Sequence, residues 1–161
     1  MLRRGIDVLA AAVLAQQSGA RFSHVGMIVI SDGRPLVIHS TPPEPGFAGG
    51  VHSETLEAFA SPDVASDLAI YRIPYLDSVA KRRVRDYLFS QLGRPFDLRF
   101  QYSDDSELYC TELVLKALQR AGLDLVATLP RVQAIGMSEP AFSPDAIRLI
   151  ANLGEIPADH Q

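Results

Sequence analysis

Hydrophobic residues recur along the chain at both helical and strand-like spacing, which predicts a protein of mixed α and β structure. At the N-terminus, apolar residues follow the i, i+3, i+4, i+7, i+8 spacing of one helix face: Ile6, Leu9, Ala10, Val13 and Leu14. Arginines before this stretch and small residues after it also resemble a short signal peptide. Asp7 at its start and the regular helical spacing favour a structural helix.

Two apolar runs on either side of Asp32-Gly33 predict a β-hairpin. The first strand is expected over residues 22–30 and the second over residues 35–40. With a two-residue turn, Ser31 pairs with Arg34, and Gly26 lies opposite His39.

This hairpin register has a chemical consequence. His24 is then on the same face of the hairpin as His39 and diagonal to it, so that the two imidazoles lie within reach of each other. A register shifted by one residue would place them on opposite faces. Gly26, opposite His39, leaves room there because it has no side chain.

The rest of the pattern mixes short strands with helices and predicts an α+β domain over residues 1–161, with an antiparallel sheet. A Pro/Gly-rich segment at 41–50 is expected to be a loop that borders the functional cleft. The other predicted elements are a strand at 51–53, a short helix at 53–60, a strand at 68–73, and helices at 77–92, 109–121 and 143–150.

Charge and composition exclude several classes of function. Fifteen Lys and Arg face nineteen Asp and Glu, for a net charge of -4, so nothing indicates a nucleic-acid partner. The basic cluster at 81–85 is interpreted as the solvated face of a helix. A single cysteine excludes an internal disulfide. No apolar run approaches the roughly 18 residues of a membrane span, so stable membrane insertion is not expected.

Cys110 lies in the first turn of the helix at 109–121, where the helix terminus favours an anion and lowers a thiol pKa. A thiolate beside the His24 imidazole, with His39 orienting that imidazole, is the arrangement of a thiol hydrolase. Backbone N–H groups at the helix start would hold an oxyanion.

Structural interpretations compete with this one. Cys110 also belongs to an apolar helix stripe, where a lone cysteine is usually a small buried hydrophobe. Glu112 either binds substrate or, as we favour, reaches back to cap the helix. Asp97 is expected to fix the preceding loop.

A zinc site would draw on His24, His39, His52 and Cys110, but no short paired-ligand spacing supports it. We therefore predict no metal and no cofactor. His160 is expected to lie in a frayed tail.

Three segments, in order, resemble the circularly permuted NlpC/P60 group of papain-like proteins. They are FSHVGMIV at 22–29, LGRPFD at 92–97 and YCTELV at 109–114, which are similar to the group's "SHVGI", "GKPYD" and "YCSELV" elements. Histidine precedes cysteine, the reverse of ordinary papain-like enzymes. By these motifs the YiiX-like branch is nearest, and lecithin retinol acyltransferase is a more distant member.

The resemblance implies an antiparallel sheet packed against the helix that carries the nucleophile. It implies Cys110 as nucleophile and His24 as base, with Tyr109, Glu112 and Ser23 in supporting or substrate-binding positions. The third polar position falls at His39, where YiiX-like relatives often have Glu and the acyltransferase branch has His. Relatives also open with a "GD" strand, and this chain lacks that dipeptide.

The expected function is hydrolysis of a small amide substrate, such as a peptide, a cell-wall peptide or an N-acyl conjugate, through a Cys110 thioester. Acyl transfer or lipid ester cleavage by the same fold is the alternative among enzymes. An exposed apolar groove near Cys110 would favour that alternative. A binding module that keeps the fold without the chemistry is a further alternative.

Overall fold

The computed structural model describes residues 1–133, 137–150 and 153–156; His160 lies outside them. The strands are β1 (Leu2–Gly5), β2 (His24–Val25), β3 (Met27–Ser31), β4 (Arg34–Thr41), β5 (Gly50–Thr55), β6 (Ala65–Arg72) and β7 (Gly154–Ile156). The helices are α1 (Val8–Ala15), α2 (Leu56–Phe59), α3 (Ser78–Ser90), α4 (Cys110–Arg120) and a 3₁₀ helix (Pro144–Leu149).

The strands form two antiparallel sheets, with orders β2-β1-β6-β7 and β3-β4-β5. The predicted α+β class and antiparallel pairing are therefore confirmed. The single strand predicted over residues 22–30 is wrong in one respect, because it is divided at Gly26. The Gly26 backbone bonds to Met1, while β2 pairs with β1 and β3 pairs with β4.

The predicted hairpin register is confirmed, with Ser31 opposite Arg34 and Met27 opposite Ile38. Asp32 and Gly33 both have positive φ, 50° and 76°, as a type I′ turn requires. This turn twists in the same sense as the strands it joins, so it holds the pairing in one register.

Helix α4 lies at the centre of the molecule, and its residues from Cys110 to Leu118 are all buried. It packs against β2 and β4 on the side of the sheets and against α3 on another side. A helix that is enclosed in this way is held by tertiary packing around its whole circumference. The basic cluster at 81–85 lies on α3 with its charged residues exposed, as the sequence predicts.

The structural helix predicted at the N-terminus is confirmed as α1, although most of its apolar side chains are not buried. Val8 is 88% exposed and Ile6 57%, and within α1 only Ala10 is buried. The helix approaches β1 closely at this point, since a Cβ on Gly5 would lie 2.8 Å from the Ala10 Cβ. Asp7 caps it by accepting from the Ala10 N–H at 2.7 Å.

Smaller differences concern element ends. The strand expected at 51–53 runs from Gly50 to Thr55, and the short helix follows as α2 because the Thr55 hydroxyl caps it. The last helix is a 3₁₀ helix that begins after Ser143. Among the described residues, none of the helices combines the length and the apolar character needed to cross a bilayer.

Gly26 provides a direct test of the packing beneath the hairpin. A Cβ at this position would lie 2.5 Å from Val37 Cγ1 and 3.1 Å from His39 Cβ. We expect Gly26→Ala to lower the free energy of unfolding by about 1–3 kcal/mol, measured by urea denaturation.

Gly154→Ala is the matched control, since a Cβ there meets no atom within 4 Å. Equal stability of the two variants would contradict the close approach at Gly26.

Candidate active site

The two imidazoles that the hairpin register places together do meet. His24 Nε2 lies 2.8 Å from His39 Nδ1, and the ring centroids are 5.0 Å apart at an interplanar angle of 74°. Phe59 packs against both rings. The geometry is that of a hydrogen bond, whose donor depends on the tautomer.

Glu54 extends this pair on the far side of His39. Its Oε1 lies 2.9 Å from His39 Nε2, although the contact falls outside the angular range of a hydrogen bond. The Arg3 guanidinium is 3.6 Å from the same carboxylate oxygen. Burial raises the pKa of Glu54, but His39 and Arg3 together hold it below its usual range.

Cys110 is the first residue of α4, and its side chain is buried against β2. The sulfur receives hydrogen bonds from backbone groups of Val25 and Thr111, and the Thr111 Oγ1 is 3.8 Å from Sγ. Val25 immediately follows His24 in β2. Cys110 and His24 thus line one cleft from two neighbouring elements.

Burial favours the neutral form of both residues. It raises the pKa of the Cys110 thiol, and the hydrogen bonds to the sulfur offset this only in part. It lowers the pKa of His24 to well below the usual value, and the neighbouring His39 and Arg3 charges add to that shift. The expectation that the helix terminus depresses the thiol pKa is therefore wrong, because desolvation outweighs it.

The three supporting residues differ in their roles. The Ser23 hydroxyl accepts from the Gly5 N–H at 2.9 Å and ties β1 to the segment before His24. The Tyr109 hydroxyl accepts from the Phe142 N–H at 3.2 Å. Both residues line the cleft, whereas Glu112 does not.

Glu112 caps the helix, as the sequence predicts. Its Oε2 accepts from the Tyr109 N–H at 3.3 Å, and its Oε1 lies 2.7 Å from Lys116 Nζ. Lys116 also binds Asp105 in the loop before the helix. Burial raises the pKa of Glu112 to about 7 against the opposing effect of Lys116. The carboxylate therefore anchors the start of α4 to its neighbouring loop.

Backbone hydrogen bonds of the 92–97 segment connect β5 with the residues just before the cysteine helix. Val51 donates to the Arg94 carbonyl and accepts from Gly93, both at 2.8 Å, and Leu108 donates to the Pro95 carbonyl at 2.9 Å. Asp97 accepts from the Arg99 N–H at 2.8 Å and also from Gln101. The predicted role of Asp97 in fixing this loop is confirmed.

The cleft at Cys110 has a volume of about 610 Å³ and is mostly apolar. Residues 41–44 of the Pro/Gly-rich loop form one side, which confirms that this loop borders the cleft. The other apolar walls come from α1, the 96–100 segment and the chain near residue 142: Val8, Leu9, Val13, Phe96, Phe100 and Phe142.

His52 is the third imidazole of the region. It lies directly opposite His39 in the β4–β5 pairing, with ring centroids 4.2 Å apart. Of the four residues weighed for zinc, His39 contacts both His24 and His52. The described residues whose ligand atoms could share one ion are His39, His52 and Glu54.

Sequence reasoning missed Arg3 and Glu54. The positions of both residues depend on strand pairings that no turn motif in the sequence predicts. Arg3 lies opposite His24 in the β1–β2 pairing, and Glu54 lies opposite Val37 in the β4–β5 pairing. The alternation of His52 and Glu54 at i and i+2 puts the two on one face of a strand, and this was the available signal.

The fold and the order of these residues define a circularly permuted papain-like protein, in which the histidine strand precedes the cysteine helix. A model of permuted papain-like amidases, the YaeF/YiiX or C92 family, matches residues 9–140. The chain belongs to this family.

Individual relatives agree with this assignment. The chain is 29% identical to the uncharacterised protein YiiX of Escherichia coli K12 over 125 residues, which is 74% of this chain but only 55% of that relative's length. The crystal structure of metalloprotein YiiX from Escherichia coli O157:H7 superposes with a TM-score of 0.77 at 21% identity. That superposition covers 97% of this chain and 93% of the other, and it shows the fold.

The pKa shifts predict how the free thiol reacts. Because burial raises the pKa of Cys110, the thiolate fraction at pH 7 is smaller than for an ordinary thiol. We expect alkylation by iodoacetamide to be slow at pH 7 and to increase until the pH exceeds the usual thiol pKa of about 8.5. His24→Ala should slow the reaction further at pH 7, because a neutral His24 is the available base.

The urea-unfolded chain, in which the desolvation is absent, is the control and should titrate like free cysteine. A rate that stays constant from pH 8 down to pH 5 would instead indicate a preformed thiolate–imidazolium pair.

Proposed function

We propose that the chain is a thiol-dependent amidase in which Cys110 is the nucleophile, His24 the general base, and His39 with Glu54 the groups that orient and stabilise His24. The observation that carries the proposal is the 2.8 Å contact between His24 and His39 beside the cysteine helix. Membership of an amidase family supports the class of reaction.

The order of the polar groups determines the tautomers that the mechanism needs. An ionised Glu54 favours the proton of His39 on Nε2, the nitrogen 2.9 Å from the carboxylate. His39 Nδ1 then accepts the Nε2–H of His24. The remaining nitrogen of His24, Nδ1, carries a lone pair and serves as the base toward Cys110.

In the reaction, His24 takes the thiol proton as Sγ attacks the amide carbonyl carbon. Backbone N–H groups at the start of α4 stabilise the tetrahedral oxyanion. The imidazolium of His24 is stabilised through His39 by the negative charge of Glu54, and its proton goes to the departing amine. Water then attacks the thioester, and the carboxylic acid leaves as the Cys110 thiol is restored.

Burial suits this neutral starting pair. A buried thiol and a buried imidazole avoid the cost of two charges in an apolar cleft until the proton transfer that accompanies attack on the carbonyl. Because burial lowers the pKa of His24, the imidazole stays neutral further into the acid range than an ordinary histidine does. The acid limb of the rate profile is therefore expected below the usual imidazole range.

A panel of N-acyl amides with a chromogenic amine tests the proposal. We expect Cys110→Ala to lower turnover by at least about 10³-fold and Glu54→Gln by about 10²-fold. Glu57→Gln, which changes an exposed glutamate on the neighbouring α2, is the matched control and should leave turnover unchanged. Mass spectrometry should detect an acyl group on Cys110.

Each variant is also checked by circular dichroism and urea denaturation, so that loss of folding is separated from loss of chemistry. Turnover that survives in Cys110→Ala would refute the assignment. Absence of turnover and of acyl-Cys110 across the panel would favour the binding module.

A second candidate, acyl transfer from a lipid or other apolar acyl donor, is favoured by the apolar lining of the cleft and by the exposed apolar residues of α1. Both the amidase and the acyltransferase would place the acyl chain of the substrate against this apolar lining. The difference lies in the acceptor, which is water in hydrolysis and an amine or alcohol in transfer.

A series of substrates with acyl chains of increasing length tests the role of the lining. Burial of one methylene contributes about 0.8 kcal/mol, so kcat/KM should rise by up to about fourfold per methylene until the cleft is filled. Val13→Asp, on the α1 wall of the cleft, should reduce this dependence, whereas Val64→Asp, at an exposed position outside the cleft, should not.

The same series with an added amine or alcohol distinguishes the two candidates. A product that is always the free acid supports the amidase, and a dominant transfer product supports the second candidate. Rates that do not depend on chain length would contradict the acyl-chain role of the cleft.

A further inference from the structure

His39, His52 and Glu54 present three metal-ligating groups on one face of the three-stranded sheet. His39 and His52 are direct partners across β4 and β5, and Glu54 is two residues beyond His52 on the same strand face. One ligand atom from each residue lies within 4.8 Å of the other two. Ordinary strand geometry thus brings together two imidazoles and one carboxylate.

Two of these ligand atoms lack a hydrogen bond among the described residues. His39 Nε2 and Glu54 Oε1 are both buried and face each other at 2.9 Å without hydrogen-bond alignment. His39 as a residue is 1% exposed. The imidazole nitrogen and the carboxylate oxygen therefore already lie close to the spacing of about 3.3 Å that two ligands of one tetrahedral ion require.

His52 has the orientation of a metal ligand. Its Nδ1 is 3.0 Å from the Gly50 carbonyl, an acceptor, so Nδ1 carries the proton and Nε2 keeps its lone pair. A ligating imidazole generally has its second nitrogen fixed in this way by a carbonyl or carboxylate. His52 and Glu54 are half-buried, which leaves a path from solvent.

We infer that His39, His52 and Glu54 bind a single transition-metal dication, with Zn²⁺ as the best-matched ion. Two imidazoles and a carboxylate are a ligand set that zinc accepts with one coordination position left open. Tetrahedral bonds of about 2.0–2.1 Å require ligand atoms about 3.3 Å apart, and small side-chain rotations reach that from the observed spacing. Arg3, near Glu54, is the opposing charge that keeps the affinity moderate.

Metal binding would also regulate the site, and this part rests on the proposed function. The ion requires the lone pair of His39 Nε2, so the His39 proton moves to Nδ1. Nδ1 then donates to His24 Nε2, and the single proton of His24 moves to its own Nδ1. No proton is gained or lost by the pair, but the nitrogen that would accept the Cys110 proton is now occupied. The metal form is therefore the inactive form.

Zn²⁺ titration of the metal-free chain by calorimetry tests the site, together with Co²⁺ substitution followed by absorption spectroscopy. We expect one ion per chain, more than about tenfold weaker binding in His52→Ala, and unchanged binding in Cys110→Ala and Glu57→Gln. The Co²⁺ spectrum should lack a thiolate charge-transfer band. Urea denaturation of His52→Ala without metal confirms that the variant folds.

Binding lost in Cys110→Ala and kept in His52→Ala would overturn the site, since the ion would then lie at the Cys–His pair. Absence of binding in the wild-type chain would overturn it as well.

The effect of Zn²⁺ on the reactivity of Cys110 tests the regulation separately. The ratio of Cys110 alkylation rates without and with Zn²⁺ should exceed tenfold in the wild-type chain and approach one in His52→Ala. Specific Zn²⁺ binding with a ratio near one in the wild type would refute the regulation and leave the metal site standing. Specific Zn²⁺ binding in a chain without amidase turnover would refute the proposed function and leave the metal site standing.

Discussion

The antiparallel pairing of β4 with its two neighbours is the constraint on which the candidate site depends. Pairing with β3 fixes where the chain just before Met27 meets β4, and His24 in β2 lies 2.8 Å from His39. Pairing with β5 brings His52 and Glu54 to the same face. A shift of either register by one residue would move every second side chain to the opposite face of the sheet. The turn at Asp32-Gly33 and the backbone bonds of Val51 protect the two registers from such a shift.

Burial then decides which charges this arrangement can hold. Burial shifts Cys110 and His24 toward their neutral forms, whereas Glu54 is kept ionised by Arg3 and His39. The negative charge of Glu54 is thus held on the far side of His39, and the Cys110–His24 pair is uncharged before substrate binds. Glu112 and Lys116 form a separate buried pair that secures α4 without entering the cleft.

Local patterns in the sequence were sufficient for the hairpin, for the contact between His24 and His39, and for the capping by Glu112. Each of these depends on residues close in sequence or on one turn type. Arg3 and Glu54 could not be predicted, because their positions depend on pairing between strands separated by loops of no fixed length. The sign of the Cys110 pKa shift was also missed, since the helix terminus is visible in the sequence and the depth of burial is not. The apolar spacing of α1 predicted the helix correctly.

The bonds between Val51 and the 93–94 segment have a consequence for how another chain can approach. β5 is the outer strand of its sheet, and a strand in that position normally offers free backbone groups to an extended peptide. Here both the N–H and the C=O of Val51 are already used. An incoming extended chain therefore cannot continue the sheet alongside Val51, and this part of the outer strand is closed to strand addition.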